Sequence, residues 1–370
     1  MAYAIAIILV IAATPSARNG VAERHGFPIA RRWSVDIGGA PAVEPVSDAD
    51  RVYLALKAGQ VMARSMADGS ERWRRDGLPT TQPLCLDGDR LFVVANDAIH
   101  ALRTSDGRDE WIRPHLSPSA ALVAGEGWVI AATASGLSAL RSADGTVVWQ
   151  RETGVIHERP TIDGDRVYIS LEDGRMAALR LETGEPVWEQ QLGGAPGLIY
   201  ASGGRVYAGA VDKFFYCLSG SSGEVLWQKR VGAAFQGQPA GDDTHVYFTA
   251  LDNVVRALDR SHGAQRWKQA LSQRPASGPI LVGTTVFVPE MAEELSAFDA
   301  KTGARAGSVS IPERLAVAPE VIDRGDEGLI AFAITGGLSN EWKLTLAATT
   351  GDPPLAPLSA LPGTPLPPER

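Results

Sequence analysis

Two cysteines in 370 residues, Cys85 and Cys217, are too few for a disulfide framework or a four-ligand zinc site, and their spacing matches no redox motif. Both read as small core residues. Positive charge is also scarce: 35 basic against 43 acidic side chains leave a net charge of -8, so the electrostatic term that drives nucleic-acid binding is missing. DNA and RNA are therefore excluded as expected partners. The six histidines show no metal-ligand spacing, and no Ser-His-Asp pattern, nucleotide loop or paired carboxylate stands out. Long apolar runs are missing too. The longest is a stretch of ten residues from Ala4 to Ala13, too short to span a bilayer comfortably. It has the length of a signal-peptide apolar core with small residues after it, although Met1-Ala2-Tyr3 carries no positive charge. Residues 1–17 are thus expected to be an export signal or a weak N-terminal anchor. No cysteine follows, so a lipoprotein cleavage site is not available.

Glycine and proline are plentiful, at 39 and 24, without any Gly-X-Y period, which points to many turns between short strands. The turns recur. A Gly followed four residues later by Trp appears as Gly69 with Trp73, Gly107 with Trp111, Gly145 with Trp149, Gly184 with Trp188, Gly223 with Trp227 and Gly263 with Trp267. These glycines step by 38, 38, 39, 39 and 40 residues. Gly303 continues the series with Gly307 in the Trp slot, and Gly351 with Leu355, while Trp33 stands 40 residues before Trp73 with no turn in front of it. Six residues before each glycine is a small side chain: Ala63, Ala101, Ala139, Ala178, Cys217, Ala257, Ala297 and Thr345.

Further upstream in each unit, a β-rich pair marks a strand start: Val52-Tyr53, Leu91-Phe92, Trp128-Val129, Val167-Tyr168, Val206-Tyr207, Val246-Tyr247 and Val286-Phe287. Pro45, Pro83, Pro160, Pro239, Pro279 and Pro319 open a short run before it, at a position where the missing N–H interrupts no ladder. Each unit reads as four strands: an inner one after the proline, one at the Val-Tyr pair, one ending at the small residue and an outer one carrying Trp.

Such a unit is one blade of an all-β propeller, and the spacing predicts an eight-bladed β-propeller of four-stranded antiparallel blades over residues 27–352. Trp should lie against the next blade near the small residue and the turn glycine. The eighth unit lacks an outer strand, because Asp352-Pro-Pro-Leu-Ala-Pro cannot supply the N–H groups. The strand around Trp33 is expected to complete that blade and close the ring. Residues 353–370 read as a Pro-rich disordered tail. The interfaces served by Gly307 and Leu355 are expected to be the weakest.

The segments Ala178-Leu-Arg-Leu-Glu-Thr-Gly-Glu-Pro-Val-Trp188 and Ala139-Leu-Arg-Ser-Ala-Asp-Gly-Thr-Val-Val-Trp149 resemble the tryptophan-docking motif of the pyrroloquinoline quinone (PQQ) repeat superfamily. The compact blades resemble the BamB-like non-enzymatic propellers of the bacterial cell envelope more than the quinoprotein dehydrogenases. That resemblance implies a periplasmic or otherwise exported scaffold whose partners are other envelope proteins or peptides, with no catalytic residue, cofactor or metal. The quinoprotein branch implies instead a PQQ and calcium site in the central funnel, used by an oxidoreductase or small-molecule sensor. Its adjacent cysteine pair and long insertions are lacking here.

In a propeller the loops from each outer strand to the next inner strand face the funnel. Those loops carry Glu44, Thr81, Gln82, His157, Glu158, Arg159, Phe235, Gln236, Gln238 and Arg274, the candidate funnel and partner-binding residues. His157 beside Glu158 has the composition of an acid/base pair, but neighbours on an extended chain point apart. Asp87-Gly88-Asp89 and Asp163-Gly164-Asp165 have a calcium-loop flavour without the distal Glu, so Asp-Gly is read as a hairpin turn.

Overall fold

Alternating short apolar strands and turn glycines give eight four-stranded antiparallel sheets arranged as an eight-bladed propeller, and no helix occurs among the described residues. The computed structural model describes residues 29–349, apart from 117, 292–293, 311–316, 318–319, 324–328 and 337–340. The expected export segment, the Pro-rich tail and Leu355 lie outside the described residues.

Blade 1 contains Val46–Ser47, Arg51–Leu56, Gln60–Ser65 and Glu71–Arg75, and its order is the chain order, an up-and-down meander. Blades 2 to 7 repeat it. First strands of successive blades touch one another from blade 1 to blade 8 and so line the axis. The hydrophobic core is divided among the blade interfaces. Leu54, Leu56 and Met62 of blade 1 pack on Ile334, Leu344 and Leu346 of blade 8, while Ile130 and Leu137 of blade 3 pack on Val167 and Ile169 of blade 4. No blade could bury both faces alone, so the ring is the folding unit.

Blade 8 contains Glu320–Asp323, Leu329–Gly336 and Trp342–Thr349, and its outer strand is Ile29–Asp36. The N-terminal strand therefore closes the ring, as the missing outer strand requires. Trp33 of that strand reaches Gly69 of blade 1, and its indole N–H donates to the Met66 carbonyl at 2.9 Å. The interface assigned to Leu355 is thus served by Trp33, which corrects the expectation that it is weak.

The docking geometry repeats around the ring. Each indole covers the turn glycine of the following blade: a Cβ on Gly107 would lie 2.6 Å from Trp73, and on Gly184 2.6 Å from Trp149. Each of these glycines has positive φ, which adds a conformational reason for glycine. The indole N–H also finds a carbonyl of the next blade, as from Trp73 to Thr104 at 2.8 Å and from Trp188 to Gly220 at 2.9 Å. The small residue sits in the tryptophan's own blade, directly across the ladder: Ala63 opposite Trp73, Cys217 opposite Trp227, Ala257 opposite Trp267. A register shift follows the small residue in each of these ladders.

Three details of the sequence reading are corrected. The third strand runs beyond the small residue, to Arg103 in blade 2 and Arg180 in blade 4. Phe235, Gln236 and Gln238 belong to the strand Phe235–Gly241 rather than to a loop, because the first strand of blade 6 is lengthened by an irregularity between Gln236 and Ala240. In blade 3, Ile130 rather than Val129 faces the small residue, so Trp128 stands one place earlier, in the slot held by Arg51, Arg90, Arg166 and Arg205 elsewhere.

Tyrosines of the second strands lie beneath the indoles, with Tyr53 and Trp73 centroids 6.0 Å apart. Burial pushes the Tyr207 phenol up to about 12, and burial with the hydrogen bond to Asp212 does the same for Tyr216; Tyr53, Tyr168 and Tyr247 are also raised. A raised folded-state pKa means that their stabilisation is complete below the unfolded value of about 10 and is lost as pH climbs through the folded values. We therefore expect the phenolate absorbance of these five residues to appear above pH 10 only together with loss of the strand circular-dichroism signal. Ionisation near pH 10 with the fold intact would contradict this.

Candidate functional site

The turns between second and third strands and the loops from one outer strand to the next inner strand emerge on the same side of the ring. That face carries the candidate residues, which the structure separates into groups. Blades 4, 5 and 6 form one. Here Arg159 Nη2 donates to Gln238 Oε1 at 2.7 Å, tying blade 4 to blade 6 across the funnel. Gln238 Nε2 in turn donates to the Ile199 carbonyl at 2.6 Å, and Gln236 Nε2 to the Ala276 carbonyl at 3.1 Å. These three polar residues are already engaged with the protein.

Phe235 is half-buried and covers Gly209, where a Cβ would meet its ring at 2.2 Å. Its ring lies 5.7 Å from Phe215 and 5.5 Å, edge-on, from Phe248. It is first a packing residue, closing the seam between blades 5 and 6, and only its rim faces outward. Next to it a cleft of about 330 Å³ is lined by His157, Glu158, Glu172, Pro196, Val211 and Phe235, among others. Val211, at the tip of the blade 5 hairpin, is 71% exposed, an unusual state for an aliphatic side chain beside a concavity.

His157 and Glu158 do not act as a pair. The imidazole is exposed and its Nε2 lies 3.4 Å from Glu172 Oε2, whereas Glu158 is half-buried in the cleft wall. Burial raises the Glu158 carboxyl above its ordinary value, opposed by His157.

The remaining candidates lie apart from this cleft. Gln82 of blade 2 makes a long contact to the Pro118 carbonyl at 3.4 Å, Thr81 and Glu44 are exposed, and Arg274 is exposed on blade 7. Beside Arg274, the carboxylate of the fully buried Glu290 accepts the Gln273 N–H at 2.6 Å and the Ser296 hydroxyl. Glu290 therefore anchors the loop. Val211 and Glu172 are not among the residues that the loop pattern singles out, because they sit in second-to-third-strand hairpins; Pro196 lies in an outer-to-inner loop, bridged to Ala210, and the pattern passes over it there. At the equivalent hairpin position Lys57, Asn96 and Glu172 stand in three other blades, but Leu251 in blade 6 and the exposed Met291 in blade 7, so the residue type alone does not single Val211 out.

A PQQ and calcium site would need carboxylate ligands around the ion and free groups at the funnel wall. Among the described residues no group of three His, Cys, Asp or Glu side chains could hold a metal ion. The funnel arginine and glutamines are bonded to each other and to backbone. Cys85 is half-buried in the first strand of blade 2 and its thiol is pushed up to about 12 by burial, with Arg159 opposing; Cys217 is buried across from Trp227. Neither cysteine is placed beside another. The described residues therefore supply neither the ligands nor the free funnel groups that this cofactor would need.

These features define a tryptophan-docked eight-bladed propeller with a shallow, apolar-edged cleft on its funnel face. The family model described as outer membrane protein assembly factor BamB matches residues 29–209 and 172–356, and the chain belongs to this family. No curated protein matches it in sequence. Among solved structures, BamB from Moraxella catarrhalis superposes with a TM-score of 0.71 at 18% identity, over 88% of this chain and 99% of that one. The computationally designed Ika8 protein gives 0.69 at 13% identity, over 85% and 98%. The quinohemoprotein alcohol dehydrogenase of Comamonas testosteroni gives 0.68 at 13% identity, over 89% and 78%. At these identities the structural likeness shows the fold alone.

Proposed function

We propose that the protein is a non-enzymatic scaffold of the bacterial cell envelope that binds a protein partner on its funnel face. The observation that carries this reading is the cleft of blades 4 to 6, where exposed Val211 stands beside Pro196 and the rim of Phe235 while Arg159, Gln236 and Gln238 are already engaged with the protein. An apolar rim with engaged polar groups suits the side chains of a docking protein segment better than a small polar substrate. Membership of the BamB family supports an envelope location and makes a component of outer-membrane barrel assembly the first partner to test.

The test is site-specific photo-crosslinking in cells of the source organism. A crosslinker at Val211 should capture one defined barrel-assembly protein, and one at Leu226, which is 43% exposed on the outer edge of blade 5, should not. Val211→Asp should abolish the adduct without altering the melting curve. Equal capture from both positions, or none from Val211, would remove the proposal. The quinoprotein reading predicts instead a saturable thermal shift with PQQ and calcium together with dye-linked dehydrogenase turnover.

A further inference from the structure

Trp128 breaks the internal repeat, on the face opposite the funnel. In blade 2 the equivalent position is Arg90, paired across the ladder with Arg103, as Trp128 is with Arg141 in blade 3. Glu110, next to Trp111, completes an ion-pair lattice there: Arg90 Nε lies 2.8 Å from its Oε2, and Arg103 Nε 3.6 Å from its Oε1. In blades 4 and 5 the same arginine bonds to a carbonyl of a following blade, Arg166 to Gly220 and Arg205 to Arg260 at 3.0 Å. Blade 3 has Trp128 for the arginine and Val148 for the glutamate. The lattice is gone, and in its place is a cleft of about 400 Å³ lined by Gly127, Trp128, Arg141, Val148 and Glu182.

The chemistry of the lining is mixed. Trp128 is half-buried and Val148 is 38% exposed, which gives a flat apolar wall. Among the described residues, no hydrogen bond or ion pair engages the side chains of Arg141 or Glu182, both exposed. Nearby Asp144 accepts the Thr146 N–H at 2.8 Å and also feels the charge of Arg141, without forming a hydrogen bond to it. Glu182 follows Leu181, whose carbonyl accepts the Trp149 indole at 2.8 Å, so the cleft sits over a docking point that fixes blade 4 against blade 3.

We propose that this cleft binds an acidic sugar, a pyranose ring carrying a carboxylate, as one residue of an anionic polysaccharide. The C–H face of the ring would stack on the Trp128 indole, which offers apolar area with a polar edge. Its carboxylate would pair with the Arg141 guanidinium, whose planar fork matches that geometry, and its hydroxyls would donate to Glu182. An aromatic carboxylate without hydroxyls lacks the donors that Glu182 can accept, and a neutral sugar offers Arg141 oxygen acceptors but no charge to pair with.

The test follows the nine Trp indole cross-peaks in a proton–nitrogen correlation spectrum, with the Trp128 peak assigned by its loss in Trp128→Phe. Trigalacturonate at millimolar concentration should move that peak saturably, and maltotriose should bind about tenfold more weakly or not at all, the discrimination worth one charge-assisted pair. Arg141→Ala should reduce the affinity by a similar factor. The double variant Trp128→Arg, Val148→Glu rebuilds the blade 2 lattice and should abolish the heat of trigalacturonate binding in titration calorimetry, while the indole peaks of the blades away from the cleft keep their positions. A Trp128 peak that does not move, that moves equally with both sugars, or that responds unchanged in Arg141→Ala would overturn the proposal.

Discussion

Replacing Trp188 with alanine is expected to cost about 3–5 kcal/mol, the range for removing a buried large aromatic, and to lower the melting temperature by on the order of 10 °C for a chain of this size. The indole is 8% exposed and Tyr168 lies 6.0 Å from it. Its N–H donates to the Gly220 carbonyl at 2.9 Å, so truncation also removes one of that carbonyl's two donors, Arg166 remaining as the other. Gly223 is the reciprocal half of the contact. With φ at 74°, and with a Cβ placed 2.5 Å from the indole, Gly223→Ala meets both backbone strain and an overlap. The two changes should be non-additive. Once the indole is gone the overlap disappears, and Gly223→Ala in the Trp188→Ala background should cost only the conformational part, about 1 kcal/mol. Denaturant melts of the four proteins check this. Additive losses would mean that the indole and the glycine do not share an interface.

Most of the ring was legible because each blade repeats its chemistry. A glycine that must accept an indole, and a small residue that must sit across the ladder from it, recur with little variation, so Cys217 could be read as a substitute alanine before its place was seen. Proline at the first inner position and Asp-Gly at the hairpin were equally readable, since each has one backbone reason to be there. Register was less so. Trp128-Val129 looks like the Val-Tyr pair of other blades because both are β-formers, yet only the cross-strand partner tells which residue faces Ala139. The site was legible in part. Loop positions mark the face, but they do not tell that Arg159 and Gln238 would spend their hydrogen bonds on each other, nor that Phe235 would fill the space above Gly209. Those outcomes depend on residues 79 and 26 positions apart, in different blades, meeting at the funnel.

Deleting the N-terminal strand should have the largest effect of all. Residues Ile29–Asp36 supply the whole outer strand of blade 8, paired from Ile29 opposite Thr349 to Asp36 opposite Lys343. The Ile37 N–H then donates to the Trp342 carbonyl at 2.9 Å, and its side chain is fully buried in the core shared by blades 8 and 1. Burial of Ile37 contributes about 2–3 kcal/mol, and a docked indole such as Trp33 a further 3 kcal/mol or so. Together with the ladder hydrogen bonds this approaches the 5–15 kcal/mol by which a domain is stable at all. A chain starting at Gly38 should therefore fail to form a closed monomer: its melt should lose cooperativity, proteolysis should attack blade 8 first, and the exposed edge of Trp342–Thr349 should drive association. A synthetic peptide of residues 29–38 added in trans should restore the cooperative melt. The same peptide with Trp33 changed to alanine should pair with the edge but restore much less, because it supplies the strand without the lock onto Gly69. A truncated chain that melts like the full one would show that blades 1 and 8 hold together without the N-terminal strand, and that the ring closes by its interfaces alone.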